Sequence, residues 1–273
     1  MKLFKKLVIV CAAVVALAPA YAVKVSTVQY KHTEELDLTM KVFAPDSLRP
    51  SDRRPAIVFF FGGGWITRSL GQFETQARYF AERGMVCFVA DYRVQKTEGT
   101  SPYDCVADAK SAIRYVRSHA AEFGVDPDRI AASGGSAGGH IAAATAMVKG
   151  YDDPSDDRRI SPEANLLVLF NPVLDNGPGG YGYERIGKNY KRFSPSYNVR
   201  RGVPHSIIFL GEKDTLFTVQ AAERFKTAVE QKGSECELHL YPGVGHGFFN
   251  RKEYKQATML EAERFLKKHG YLE

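Results

Sequence analysis

The sequence predicts an α/β domain in which a mostly parallel central sheet is covered by helices on both faces. Continuous apolar runs of strand length recur along the chain, among them "PAIVFFF", "MVCFVA" and "ANLLVLF", as expected of strands buried on both sides. Segments with apolar residues at helical spacing lie between them, and strands alternating with helices give a parallel sheet. A length of 273 residues with 44% hydrophobic content suits one such domain.

Each element follows in turn. "VKVSTVQYK" and "LDLTMKVFAP" alternate apolar and polar residues with no helix between them. They predict an antiparallel pair at one side of the sheet. "PAIVFFFGGG" is a buried strand ending in glycines, and "FETQARYFAERG" a helix stopped by Gly84. "MVCFVADYR" is the next strand, and "YDCVADAKSAIRYVRSHAAEFG" a helix expected to run to Gly124. "DPDRIAASG" leads a strand into Ser136, and "GGHIAAATAMVKG" is the helix after it. "ANLLVLFNPV", "VPHSIIFLGEKD" and "CELHLYP" are later strands, with helices at "TVQAAERFKTAVEQKG" and "YKQATMLEAERFLKKHG". Residues 175–202 read as one long irregular piece, rich in glycine and tyrosine; loops of that size are often functional.

Charge and composition narrow the partners. The formal charge is +6, but Lys2, Lys5 and Lys6 lie in the first six residues, so the excess beyond them is +3 with no basic stripe. No nucleic-acid partner is expected. Residues 1–22 read as a bacterial-type signal peptide. "MKLFKK" is its positive start, "LVIVCAAVVALA" its apolar stretch, and Ala20-Tyr21-Ala22 its cleavage pattern. The apolar stretch falls short of the ~20 residues a spanning helix needs. The expectation is a secreted or periplasmic catalytic domain over residues 23–273, with no stable membrane insertion after cleavage. Cys87, Cys105 and Cys236 remain, an odd number that leaves at least one unpaired within the monomer. No cysteine pair or histidine cluster has metal-ligand spacing, and no metal or cofactor is expected.

The chemistry centres on Gly134-x-Ser136-x-Gly138, placed between a strand and a helix. A serine on so sharp a turn needs neighbours without bulky side chains. The amide of Ala137 then faces an oxyanion forming beside Ser136. The serine hydroxyl needs a base. Of the seven histidines, only His246 lies in a glycine-rich loop after a late strand, flanked by Gly245 and Gly247. His140, one turn after the serine, is expected to pack locally. The base needs an acid to hold its tautomer. Asp214 lies just past the preceding strand, and Asp175, after the strand before that, is the rival. Gly62, Gly63 and Gly64 end an earlier strand and offer unobstructed amides.

With these residues in view, about residues 40 to 270 resemble the α/β-hydrolase superfamily. The likeness is to carboxylesterases of the hormone-sensitive-lipase type and to bacterial feruloyl/acetyl-xylan esterases. "FGGGW" is similar to that family's H-G-G-G-W, "GGSAGGH" to its nucleophile motif, and "GVPHSIIFLGEKDTLF" and "GVGHGF" to its acid and base segments. The resemblance implies Ser136, Asp214 and His246 as the triad, with Gly63, Gly64 and Ala137 as oxyanion donors. Two departures stand out: Phe61 replaces the opening histidine, and Gly135 replaces the aspartate of "GDSAGG".

The activity implied is that of a secreted serine carboxylesterase for short-chain, acetyl-like esters, with a small-molecule or carbohydrate ester as substrate, plant or algal polysaccharides included. No lipase-sized cap is expected. Tyr181, Tyr183, Tyr190 and Tyr197 suit a wet, partly apolar ligand; the alternative is that they only pack their loop. A serine exopeptidase or amidase of the same fold is the competing enzyme. A non-catalytic binding protein on a hydrolase scaffold is the other alternative.

Overall fold

The computed structural model describes residues 20–273. The expected leader lies outside the described residues except for Ala20, Tyr21 and Ala22. Eight strands form one sheet: β1 (Val23–His32), β2 (Asp37–Pro45), β3 (Arg54–Phe60), β4 (Val86–Ala90), β5 (Val125–Gly135), β6 (Leu166–Phe170), β7 (His205–Gly211) and β8 (Cys236–Tyr241). Their spatial order is β1-β2-β4-β3-β5-β6-β7-β8. The leading pair is antiparallel, and β2 joins β4 antiparallel. Every later pairing is parallel. This is the architecture of an α/β-hydrolase.

The helices are α1 (Glu74–Ala81), α2 (Gln95–Glu98), α3 (Pro102–Ser118), α4 (Ala137–Met147), α5 (Tyr183–Ile186), α6 (Tyr190–Phe193), α7 (Val219–Gln231) and α8 (Lys252–Lys268). The apolar run of β3 shows why its sequence does not alternate. Ala56, Val58 and Phe60 belong to the core on the face that α3 and α4 cover. Ile57 and Phe59 belong to the core on the other, where Phe59 stacks on Phe73 and on Phe80 of α1. A strand covered on both sides has no polar face. Helix α4 is buried along its whole length, which accounts for its run of alanines without charge.

Two local expectations change, and the cysteines left open by the sequence are resolved. Helix α3 ends at Ser118, and turns carry the chain from His119 to Gly124. Ala120 stays buried through that turn, so the apolar spacing continues after the helix has stopped. The piece over residues 175–202 is not shapeless: it holds α5, α6 and short 3₁₀ turns. Cys87, Cys105 and Cys236 are all free and buried. Among the described residues, no helix is long and apolar enough to cross a membrane.

Candidate active site

Ser136 is the single residue between β5 and α4, with φ 55° and ψ −121°. A non-glycine residue there is strained and must be held by its surroundings. Its N–H donates to Phe170 O on β6 at 3.0 Å, and its carbonyl accepts from His140 N at 3.0 Å. The flanking glycines are required by close approach. A Cβ on Gly138 would lie 2.2 Å from Phe60 O, and one on Gly134 would lie 2.4 Å from the Gly138 carbonyl. Backbone packs on backbone here, and the carboxyl ends of β3 and β5 come up against the start of α4. Gly135 has its own reason: a Cβ there would meet Phe249 at 2.6 Å. The space that an aspartate would take is filled by an aromatic ring.

The structure brings Ser136, His246 and Asp214 together. Ser136 Oγ lies 2.8 Å from His246 Nε2, and His246 Nδ1 lies 2.8 Å from Asp214 Oδ2. The Asp214 side chain is fully buried and that of His246 one quarter exposed. Asp214 Oδ1 accepts the amides of Leu216 at 2.9 Å and Phe217 at 3.3 Å. Those bonds fix the carboxylate so that Oδ2 accepts a hydrogen bond from Nδ1–H, leaving the Nε2 lone pair toward Ser136.

The rival Asp175 spends its Oδ1 on the amide of Gly177, at 2.9 Å, within its own turn. His140 is fully buried, stacked on Phe193 and edge-on to Trp65. Burial pushes its pKa down to about 3, so it is a neutral packing residue, as its position after the serine suggested. The other histidines sit in local contacts elsewhere: His32 with Asp37, His119 with Tyr115, His239 with Glu237, and His205 stacked on His269.

The glycine run forms the opposite wall: a Cβ on Gly62 would lie 3.4 Å from the Ser136 Cβ. Phe61, in place of the family's histidine, stacks on Tyr92 with ring centroids 4.1 Å apart, and the Tyr92 hydroxyl donates to Phe61 O at 2.8 Å. The Gly62 amide donates to Gln72 Oε1 at 2.6 Å. Among the described residues, the amides of Gly63, Gly64 and Ala137 donate to no protein acceptor, so they are available to a ligand.

Two contributors escaped the sequence. Asn171 follows β6, is fully buried and has φ 34°. Its Oδ1 accepts the Gly247 amide at 3.2 Å, and its Nδ2 lies 3.4 Å from His246 Nε2. It therefore braces the histidine loop from below. Gln72 Nε2 donates to Asn250 Oδ1 at 3.2 Å, tying the glycine loop to the turn after His246. A polar residue at the carboxyl end of a parallel strand, such as the Asn of "NPVL", was the available signal for the first.

An eight-stranded sheet of this order, a strained serine on the β5–α4 turn and a buried acid behind a loop histidine define an α/β-hydrolase, and the chain belongs to the esterases of that superfamily. Residues 40–175 match the BD-FAE family and residues 194–269 the dienelactone hydrolase family. Among solved structures, Thermogutta terrifontis esterase 2 phosphoramylated by tabun is 46% identical with a TM-score of 0.87, covering 91% of this chain and 96% of that one. The same esterase with propionate bound is 46% identical with a TM-score of 0.84, covering 93% and 96%. A probable isoprenylcysteine alpha-carbonyl methylesterase of Oryza sativa subsp. japonica is 30% identical, over 72% of this chain and 52% of its own length. An acetylxylan esterase of Xylanibacter ruminicola is 29% identical, over 77% of this chain and 43% of its own length. The chain spans about half the length of the curated relatives it matches.

Proposed function

We propose that the protein is an exported serine carboxylesterase for short-chain, acetyl-like esters, with acetylated sugars of plant or algal polysaccharides as the carrier class. The unbroken hydrogen-bonded chain from Ser136 through His246 to Asp214 carries the reading. Ser136 Oγ attacks the ester carbonyl carbon while His246 Nε2 takes its proton. The carbonyl oxygen becomes an oxyanion facing the amides of Gly63, Gly64 and Ala137. The carbon–oxygen bond to the alcohol then breaks, His246 protonates the leaving oxygen, and the acyl group stays on Ser136. Water gives a proton to His246, attacks the acyl carbon and releases the acid, restoring the serine.

The short-acyl part draws on the propionate- and butyrate-bound forms of esterase 2. Local packing supports it: Phe73 and Phe249 fill the space behind Gly135, and the Tyr181 hydroxyl fills the space against Gly64. The sugar part draws on the acetylxylan esterase relative and on the ladder of Tyr183, Tyr190 and Tyr197, which meet edge to face with Tyr197 exposed. Export draws on the order of charge, apolar stretch and cleavage pattern over residues 1–22.

The test is kcat/KM across p-nitrophenyl acetate, butyrate, octanoate and decanoate, with acetate release from acetylated xylan alongside. The expected maximum is at acetate or butyrate; a maximum at octanoate or beyond overturns the short-acyl reading. Aryl acetate activity without any acetate release from xylan removes the carbohydrate part alone. N-terminal sequencing of the extracytoplasmic protein should begin at Val23, and an intact Met1 there overturns the leader.

A further inference from the structure

The glycine loop after β3 passes through three successive residues of positive φ: Gly63 at 137°, Gly64 at 67° and Trp65 at 61°. The last is a bulky residue in backbone space that favours glycine. Such a conformation persists only where the surroundings hold it. The Trp65 ring is fully buried, with centroids 5.2 Å from His140 and 5.6 Å from Tyr181. Those contacts hold the ring and leave the peptide planes to be held separately.

Two carbonyls decide how the planes lie. Gly63 O accepts from Ile66 N and Thr67 N, each at 3.0 Å. In a trans peptide the N–H points opposite to the C=O, so the Gly64 amide is turned away from that turn and left free. Gly64 O accepts from Arg185 Nη1 at 2.6 Å. That bond fixes the next plane in the same way and aims the Trp65 amide, which also lacks an acceptor among the described residues. Successive free amides of this kind form an anion-binding nest.

Arg185 comes from α5, 121 residues further along the chain. Its guanidinium lies over the Trp65 ring at 5.2 Å and the Tyr181 ring at 5.4 Å, and its side chain is only 17% exposed. A planar cation laid against two adjoining aromatic rings is well fixed in orientation.

We propose that Arg185 is a positioning residue for the oxyanion loop: by pinning the Gly64 carbonyl it keeps the nest amides directed at the reacting ester. The inference rests on reading Gly63 and Gly64 as oxyanion donors. The alternative state is easy to specify. Rotating the Gly64–Trp65 peptide by roughly half a turn returns Trp65 to negative φ and relieves its strain. It also puts the Gly64 oxygen where the Trp65 N–H points, beside the free Gly64 amide. A lone pair then faces the developing oxyanion. Strain drives the rotation, and the Arg185 hydrogen bond opposes it.

The experiment uses the full chain with Arg185→Ala and Arg185→Lys. It measures kcat, KM, thermal midpoint and the Ki of an alkyl trifluoromethyl ketone, whose adduct with Ser136 carries an oxyanion. The expected result for Arg185→Ala is a fall in kcat and a weakening of the ketone by the same factor, about tenfold or more, with KM changed less than about threefold. Millimolar guanidinium should restore part of both. Arg185→Lys, which keeps charge without the planar fork, should lie between. A structural role alone would lower the thermal midpoint and leave ketone affinity intact below it. Unchanged kcat and Ki in folded Arg185→Ala overturn the proposal, as they do in Arg185→Lys if the alanine variant does not fold. A wild-type protein that neither cleaves esters nor binds the ketone overturns the esterase reading, and the clamp with it.

Discussion

Replacing Asp214 by asparagine exchanges one carboxylate oxygen for an NH2 group where no solvent reaches. The surrounding hydrogen bonds dictate which way the new amide faces. Leu216 N and Phe217 N both point at Oδ1, and an NH2 there would set donor against donor twice. The amide oxygen therefore stays with the backbone and the NH2 faces His246 Nδ1. That nitrogen must then accept, which moves the ring proton to Nε2, 2.8 Å from Ser136 Oγ. A protonated Nε2 cannot take the serine proton. The loss should be about 10⁴-fold in kcat/KM, or about 5.5 kcal/mol of transition-state stabilisation. Asp175→Asn is the control, because an amide oxygen can still accept from Gly177 N; a loss under about threefold is expected, since its carboxylate meets no triad member. The assay is p-nitrophenyl acetate hydrolysis by purified, folded variants. An Asp214→Asn enzyme within tenfold of wild type, or an Asp175→Asn enzyme that is the weaker of the two, refutes the assignment of the acid.

Gly138→Ala should lower stability by about 1–3 kcal/mol or more, because its Cβ would sit 2.2 Å from Phe60 O and 2.3 Å from Phe61 O; a urea midpoint equal to wild type contradicts the close approach of α4 to β3. His140 gives a pH dependence. Its folded pKa of about 3 lies below the unfolded value of ~6.5, so the unfolded chain binds more protons between the two. Its contribution is full above about pH 6.5 and falls as pH drops through that window, by about 2.5 kcal/mol between pH 7.5 and 4.5. Urea unfolding at those two pH values should show a smaller acid loss for His140→Gln than for wild type; equal losses contradict a buried neutral imidazole.

The eight strands and the meeting of Ser136, His246 and Asp214 were legible because both are written in short local patterns. Apolar runs of strand length recur, those of β3, β5 and β7 end in glycines, and the serine carries its glycines within two residues on either side. His246 stood out by elimination, as the only histidine flanked by glycines in a loop after a strand. What stayed hidden depends on partners far away in sequence. Asn171 meets the histidine loop 75 residues later, and Arg185 meets Gly64 across 121. The place of Asn171 at the carboxyl end of β6 is its one local signal, and nothing in the neighbourhood of Arg185 announces its contact. The end of α3 at Ser118 was missed for a different reason: Ala120 remains buried in the turn, and burial spacing reports the core face whether or not the backbone is helical. The departures at Phe61 and Gly135 became intelligible only with Tyr92 and Phe249 packed against them.

The central claim is that Ser136 is the nucleophile, and active-site labelling tests it most directly. A fluorophosphonate should add once, on the peptide carrying Ser136, and the fraction labelled by intact-protein mass spectrometry should equal the fraction of esterase activity lost. Ser136→Ala should take no label, remain folded and lose about 10³-fold or more in rate. Full labelling with activity retained, an adduct on another residue, or near-wild-type turnover by pure Ser136→Ala would contradict the account.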